Sequence, residues 1–138
     1  MSDPTSHPLK TVVQTPLAPG PMPGILSQAI ISGNTIYCSG SLGIDPKTNS
    51  LVGPSISERT TQALENLKNV LEAAGSGLDK IVKTNIYITN VDNYAAVNKA
   101  YEKAFSGTVV PVSRFSMIGE WWIVVANDVV WWNRRGHV

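Results

Sequence analysis

The side chains able to do chemistry are few, and their scarcity narrows the options. Cys38 is the single cysteine, so neither an internal disulfide nor a multi-thiolate metal site can form. The two histidines, His7 and His137, lie near opposite ends of the chain. A Cys-His pair or a Ser-His-Asp triad would have to recruit one of those tails, whereas such constellations need rigid support. No Walker motif, Rossmann fingerprint or HExxH pattern occurs. Any reaction must therefore run on arginine, carboxylates, amides, hydroxyls, backbone dipoles and water. Arg114 is the cation that stands out, because it sits alone in the otherwise uncharged run 111–118. Burying it unpaired would be costly. It calls for an anion, and a guanidinium fork suits a bidentate carboxylate. A structural salt bridge or a solvated edge-strand position would satisfy it equally.

These residues must be held by a small set of elements. Residues 1–23 are rich in Pro, Ser and Thr and read as an irregular lead-in to one domain over 24–138. Ser27–Ser32 and Thr35–Ser39 flank Gly33-Asn34, a two-residue hairpin signal. Gly40 and Gly43 interrupt the next segment, where the backbone bulges or approaches something closely. Asp45 to Asn49 is a turn, with Pro46 presetting φ and Asn49 tolerating left-handed geometry. Ser55 and Glu58 form a capping box that opens a helix. Ala63, Leu64, Leu67, Val70, Leu71 and Ala74 recur along it at helical spacing, and Gly75 ends it. A strand over 81–89 comes after it, with Val82, Thr84, Ile86 and Ile88 on one side. Asp92 is placed to cap a second helix, whose stripe is Val91, Tyr94, Val97, Tyr101 and Phe105. Residues 112–118 form a strand, Gly119-Glu120 a tight turn, and 121–132 a returning strand.

The reading is an α+β domain, two helices on one face of a mainly antiparallel six-stranded sheet. Its last strand, WWIVVANDVVWW, is apolar at nearly every position, which signals cover on both faces. Two helices cover only one. Self-association is the simplest cover for the other, and all four tryptophans lie in this strand, a residue enriched in interface cores. A single large core with tryptophans at its edges is the alternative.

Bulk properties exclude several classes. A length of 138 residues, 43% hydrophobic and 15% charged, fits one globular domain. A net charge of +1 gives no general attraction to nucleic acid or anionic membrane, and Arg134-Arg135 alone is no basic stripe. No apolar run approaches the roughly 20 residues that span a bilayer. The start MSDPTSHPLK has neither an apolar signal core nor an Arg-rich leader. A cytoplasmic location is expected, with a mitochondrial one as the alternative.

Specific words run through this pattern. They are SGNTIYCSGSLGIDPKTNSLV (32–52), TQALENLKNVLEAAGSGLDKIVKTNIYIT (61–89), VDNYAAVNKAYEKAF (91–105) and PVSRFS (111–116). Together they closely resemble the reactive-intermediate/imine deaminase A family, the YjgF-type proteins. The resemblance implies a chorismate-mutase-like fold, a homotrimer and sites in the clefts between subunits. It also implies hydrolysis of enamines or imines such as 2-aminoacrylate to a 2-keto acid and ammonia, with no metal or organic cofactor. On this resemblance Arg114 grips a substrate carboxylate, and Gly40 and Asn98 match the family's glycine after the second strand and asparagine of the second helix.

Several positions depart from the family's pattern. Its entry motif G-P-Y-S-Q-A reads Gly24-Ile25-Leu26-Ser27-Gln28-Ala29 here, so Leu26 replaces a stacking tyrosine. The cysteine two residues after the arginine is Ser116, and Pro111 and Arg114 are one residue further apart than usual. The last-strand glutamate that holds the attacking water has no counterpart. Asp128 is the nearest polar group able to orient water, ahead of Asn127 and Glu120. Asp128 could equally pair with Arg134 or Arg135. With Phe115, Trp121 and Trp122 as a bulkier apolar wall, the site reads as remodelled. Three functions rank in this order: a deaminase-like hydrolase of a 2-aminoacrylate-like or larger hydrophobic imine; a tautomerase, cyclase or dehydratase acting on a hydrophobic intermediate; and a non-catalytic binding or chaperone-like stress protein.

Overall fold

Alternating apolar residues build the strands, and capped amphipathic segments build the helices. A computed structural model describes residues 9–117 in full and the backbone of 6–7 and 124–131. The strands are β1 (Ser6–His7), β2 (Lys10–Val13), β3 (Ala29–Ser32), β4 (Thr35–Cys38), β5 (Ile44–Asp45), β6 (Ser50–Leu51), β7 (Ile81–Ile88), β8 (Val112–Met117) and β9 (Val124–Trp131). The helices are α1 (Ile56–Ala73) and α2 (Tyr94–Ala104). One sheet runs β1-β2-β3-β4-β9-β7-β8, and β5-β6 is a separate hairpin. The fold is α+β. Among the described strands only β7 and β8 pair in parallel, because α2 is the crossover that joins them.

Local signals form as their chemistry dictates. Ser55 Oγ accepts from Glu58 N at 3.1 Å, and the Glu58 carboxylate reaches back to Ser55 N at 3.3 Å, so the capping box closes. Gly75 ends α1 at φ 81, and Asn49 takes φ 56 in its turn. Gly33, at φ 61, stands in the two-residue loop joining β3 to β4. Gly43 lies so close to α1 that a Cβ would sit 2.6 Å from the Arg59 carbonyl oxygen. Ile36, Leu64, Leu67, Leu71, Ile86, Val97 and Phe105 form the fully buried centre between sheet and helices. Each such side chain contributes roughly 1.5–3 kcal/mol by burial.

Four expectations are corrected. The lead-in is not wholly irregular: β-branched Thr11, Val12 and Val13 pair with Ile31, Ile30 and Ala29, and with β1 added and β5-β6 standing apart, the main sheet among the described residues has seven strands rather than six. β9 does not return beside β8. It inserts between β4 and β7, which makes its continuous apolarity that of a central strand. The turn 119–120 lies outside the described residues. Asp92 does not cap α2; Asn90 Oδ1 accepts from Asp92 N at 2.9 Å and starts a single 3₁₀ turn ahead of the helix. Val82 leaves the apolar side of β7, because the register slips between Ile81 and Lys83 and turns it outward.

Candidate functional site

A cavity of about 280 Å³ lies where residues 18–28, the chain after β4 and α1 meet. Leu26 and Gly40, both singled out in the sequence, line it and also reach solvent, so they mark its mouth. Its interior wall is Cys38, Leu67 and Val70. Two buried amides hold the walls. Gln28 Nε2 donates to the carbonyls of Thr15 (3.0 Å), Ala18 (3.4 Å) and Pro19 (2.8 Å), and Gln28 Oε1 accepts from Thr15 N at 2.7 Å. Asn66 Nδ2 donates to the carbonyls of Leu42 (3.0 Å) and Ile44 (2.8 Å), while its Oδ1 accepts from Gln62 at 2.8 Å. Ser39 Oγ donates to the Ser27 carbonyl at 2.6 Å and ties the mouth together. Burial pushes the Cys38 thiol up to about 12, so it stays protonated.

Sequence reasoning missed Gln28 and Asn66 as builders of this cavity. Asn66 did carry a signal: it falls three residues after Ala63 and four before Val70, a polar residue on the apolar stripe of α1. Gln28 carried only its match to the glutamine of the entry motif, which says nothing of its reach back to residues 15–19.

Arg114 belongs to a different place. Phe115 turns toward the helices, where its ring meets Tyr94 edge-on at 4.7 Å. Strand alternation puts Arg114 and Ser116 on the opposite, helix-free face. Arg114 is exposed and makes no ion pair among the described residues. Its β7 neighbour in register is Asn85, which is 6% exposed. Phe115 therefore does not share a face with Arg114. Asn98 is half-buried on α2, on the helix side, and its side chain makes no hydrogen bond among the described residues.

The register of β9 locates Asp128 along the sheet. Asn85 pairs with Ala126 and Lys83 with Val129, so Asn127 and Asp128 both stand against Thr84 in a bulge. Thr84 itself points to the helices, bonded to the Tyr101 hydroxyl at 2.8 Å. The Asp128 side chain lies outside the described residues, as do Glu120, Trp121, Trp122, Arg134, Arg135 and His137.

Within one chain the two halves stay apart. β9 and β7 separate β4, at the cavity, from β8, with Arg114. Three strand spacings are roughly 14 Å, and the halves lie on opposite faces. Among the described residues no three of His, Cys, Asp or Glu gather as a metal site, and no helix is long and apolar enough to cross a membrane.

Comparison with known proteins adds context to this geometry. The Endoribonuclease L-PSP family model matches residues 17–118. A RutC family protein of Saccharolobus solfataricus is 41% identical over 98 residues, 71% of this chain and 77% of the relative. The 2-iminobutanoate/2-iminopropanoate deaminase of Dermatophagoides farinae is 41% identical over 96 residues, 70% of this chain and 74% of the relative. The crystal structure of the Rid-family protein YyfA from Yersinia pestis, of unknown function, superposes with TM-score 0.83 at 36% identity. It covers 90% of this chain and 99% of that one.

Proposed function

This chain belongs to the Endoribonuclease L-PSP family, the RidA/YjgF-type proteins, and from that premise we propose that it hydrolyses an enamine or imine of a 2-amino acid. The observation that carries the reading is Arg114, an exposed guanidinium without an ion-pair partner among the described residues, on the face the helices leave bare. Relatives named as 2-iminobutanoate/2-iminopropanoate deaminases at 36–41% identity support it.

Arg114 binds the substrate carboxylate by its fork. Ser116, on the same face two residues on, and the backbone around Gly40 polarise the C=N bond, and Asn98 completes the polar lining. Leu26 contributes apolar surface, whereas Phe115 is spent on the Tyr94 contact. Asp128, or a water chain it anchors, orients the attacking water. Water adds to the protonated imine carbon to give a carbinolamine, which then expels ammonia and leaves the 2-keto acid. Enamines enter after tautomerising to the imine. Attack on an iminium carbon is intrinsically easy, so positioning supplies much of the acceleration. Because one chain keeps Arg114 and the Gly40 mouth apart, the complete site is assembled between copies in a homotrimer.

The test is decay of 2-aminoacrylate generated in situ. Wild type is expected to accelerate it, and Arg114→Ala to lose about a hundredfold in kcat/KM, the worth of a charge-assisted bidentate contact at ~3 kcal/mol. Decay at the buffer rate with both proteins removes the proposal.

A further inference from the structure

We propose that the cavity behind Leu26 and Gly40 receives the uncharged, apolar side chain of the imino acid, so that this chain prefers branched or aromatic substrates over the methyl-bearing one. The inference rests on the hydrolase reading and shares Leu26 and Gly40 with it, but the carboxylate-binding Arg114 does not line the cavity.

Three observations carry it. First, no lining residue is charged. Second, the buried amides are already committed: both Gln28 and Asn66 spend donors and acceptor on neighbouring groups, and the Ser39 hydroxyl donates to Ser27. Ser41 and Asn49 are the remaining polar linings, and neither can neutralise an anion. A carboxylate entering here would lose its hydration without compensation. An apolar group loses nothing and gains contact with Met22, Leu26, Leu67 and Val70. Third, the size is selective. About 280 Å³ exceeds the roughly 150 Å³ of an apolar cavity that takes up benzene, enough for an isobutyl or benzyl group. A methyl group leaves most of that space without contacts.

Gly20 is the natural place to test this. It lines the cavity, and a Cβ there would meet nothing within 4 Å. Gly20→Leu therefore adds an apolar side chain at the lining without forcing the backbone, and Met22→Trp enlarges a second, exposed lining position.

Imino acids are generated in situ from L-alanine, L-leucine and L-phenylalanine with an amino acid oxidase. The kcat/KM ratios of leucine- and phenylalanine-derived imines to the alanine-derived one are compared across wild type, Gly20→Leu and Met22→Trp. Wild type is expected to favour at least one bulky substrate by about tenfold or more, the range that a few buried carbons command. Both variants are expected to bring the ratio close to one. Calorimetric binding of 4-methyl-2-oxopentanoate against pyruvate repeats the comparison without catalysis. A preference for the branched keto acid that the variants abolish, in the absence of any imine turnover, would keep the cavity assignment and discard the hydrolase. Turnover of all three imines with no size preference, or a preference that both folded variants leave intact, overturns the cavity assignment and leaves the hydrolase standing.

Discussion

At the residue scale, Cys38 shows how burial becomes measurable. Its thiol ionises near 9.0 when unperturbed, and desolvation in the cavity wall raises it to about 12. Between those values the unfolded chain has released a proton that the folded chain keeps, so stability must fall as pH rises from 9 toward 12. Tyr101, also raised by burial and only partly compensated by its bond to Thr84, acts in the same direction at higher pH. Comparing wild type with Cys38→Ala isolates the thiol. The urea midpoint of wild type should fall more steeply above about pH 9 than that of the variant, and parallel profiles would contradict the burial. The same neutral thiol should alkylate slowly in the folded protein, since the thiolate is the nucleophile. Arg114 teaches a complementary lesson. Its residue type and isolation in the run 111–118 already suggest a carboxylate partner, and only strand alternation fixed by the Phe115–Tyr94 contact gives it a face.

At the scale of elements, short-range chemistry was legible and long-range pairing was not. The Ser55–Glu58 box, the Gly75 stop and the Gly33-Asn34 turn each depend on residues a few positions apart, so their spacing in the chain is their structure. Ser55→Ala should cost about 1 kcal/mol, because it leaves the Glu58 amide without its acceptor, and a fall in thermal midpoint checks this. Strand order obeys nothing so local. That β9 slots between β4 and β7 is decided by which edges α2 and its crossover leave open, and no window of sequence contains that information. The β2 strand was hidden for the same reason: its partner Ala29–Ser32 lies beyond a proline-rich stretch that reads as loop. The candidate site divides along this line. Leu26, Gly40 and Arg114 were readable from motifs, whereas the cavity exists only because Gln28 reaches back to residues 15–19 and Asn66 reaches across to 42–44.

For the whole molecule, part of the exposed apolar surface lies on the sheet face without helices. Tyr37, 48% exposed, and Val112, 71% exposed, sit there with Arg114 and Ser116, while Ile36 and Phe115 on the alternate positions turn to the helices. Leaving such aromatic and branched residues in water forgoes roughly 25 cal/mol per Å² of apolar surface. A second copy laid on this face recovers that energy. It also offers the only route by which an Arg114 guanidinium can approach a cavity mouth roughly 14 Å and one face away in its own chain. Assembly and activity are therefore one requirement in the proposed function. Light scattering should give three times the 14.9 kDa chain mass for wild type. Tyr37→Glu puts a charge in the middle of the face that the proposed assembly covers, where desolvating it without a partner is costly. Its far-ultraviolet circular dichroism should match wild type, because Tyr37 projects away from the core that α1 and α2 build. Its mass should fall to that of one chain, and imine turnover should vanish with it. A monomeric Tyr37→Glu that hydrolyses imines at the wild-type rate would show that one chain holds a complete site, and the division of labour between the Gly40 mouth and Arg114 would have to be abandoned.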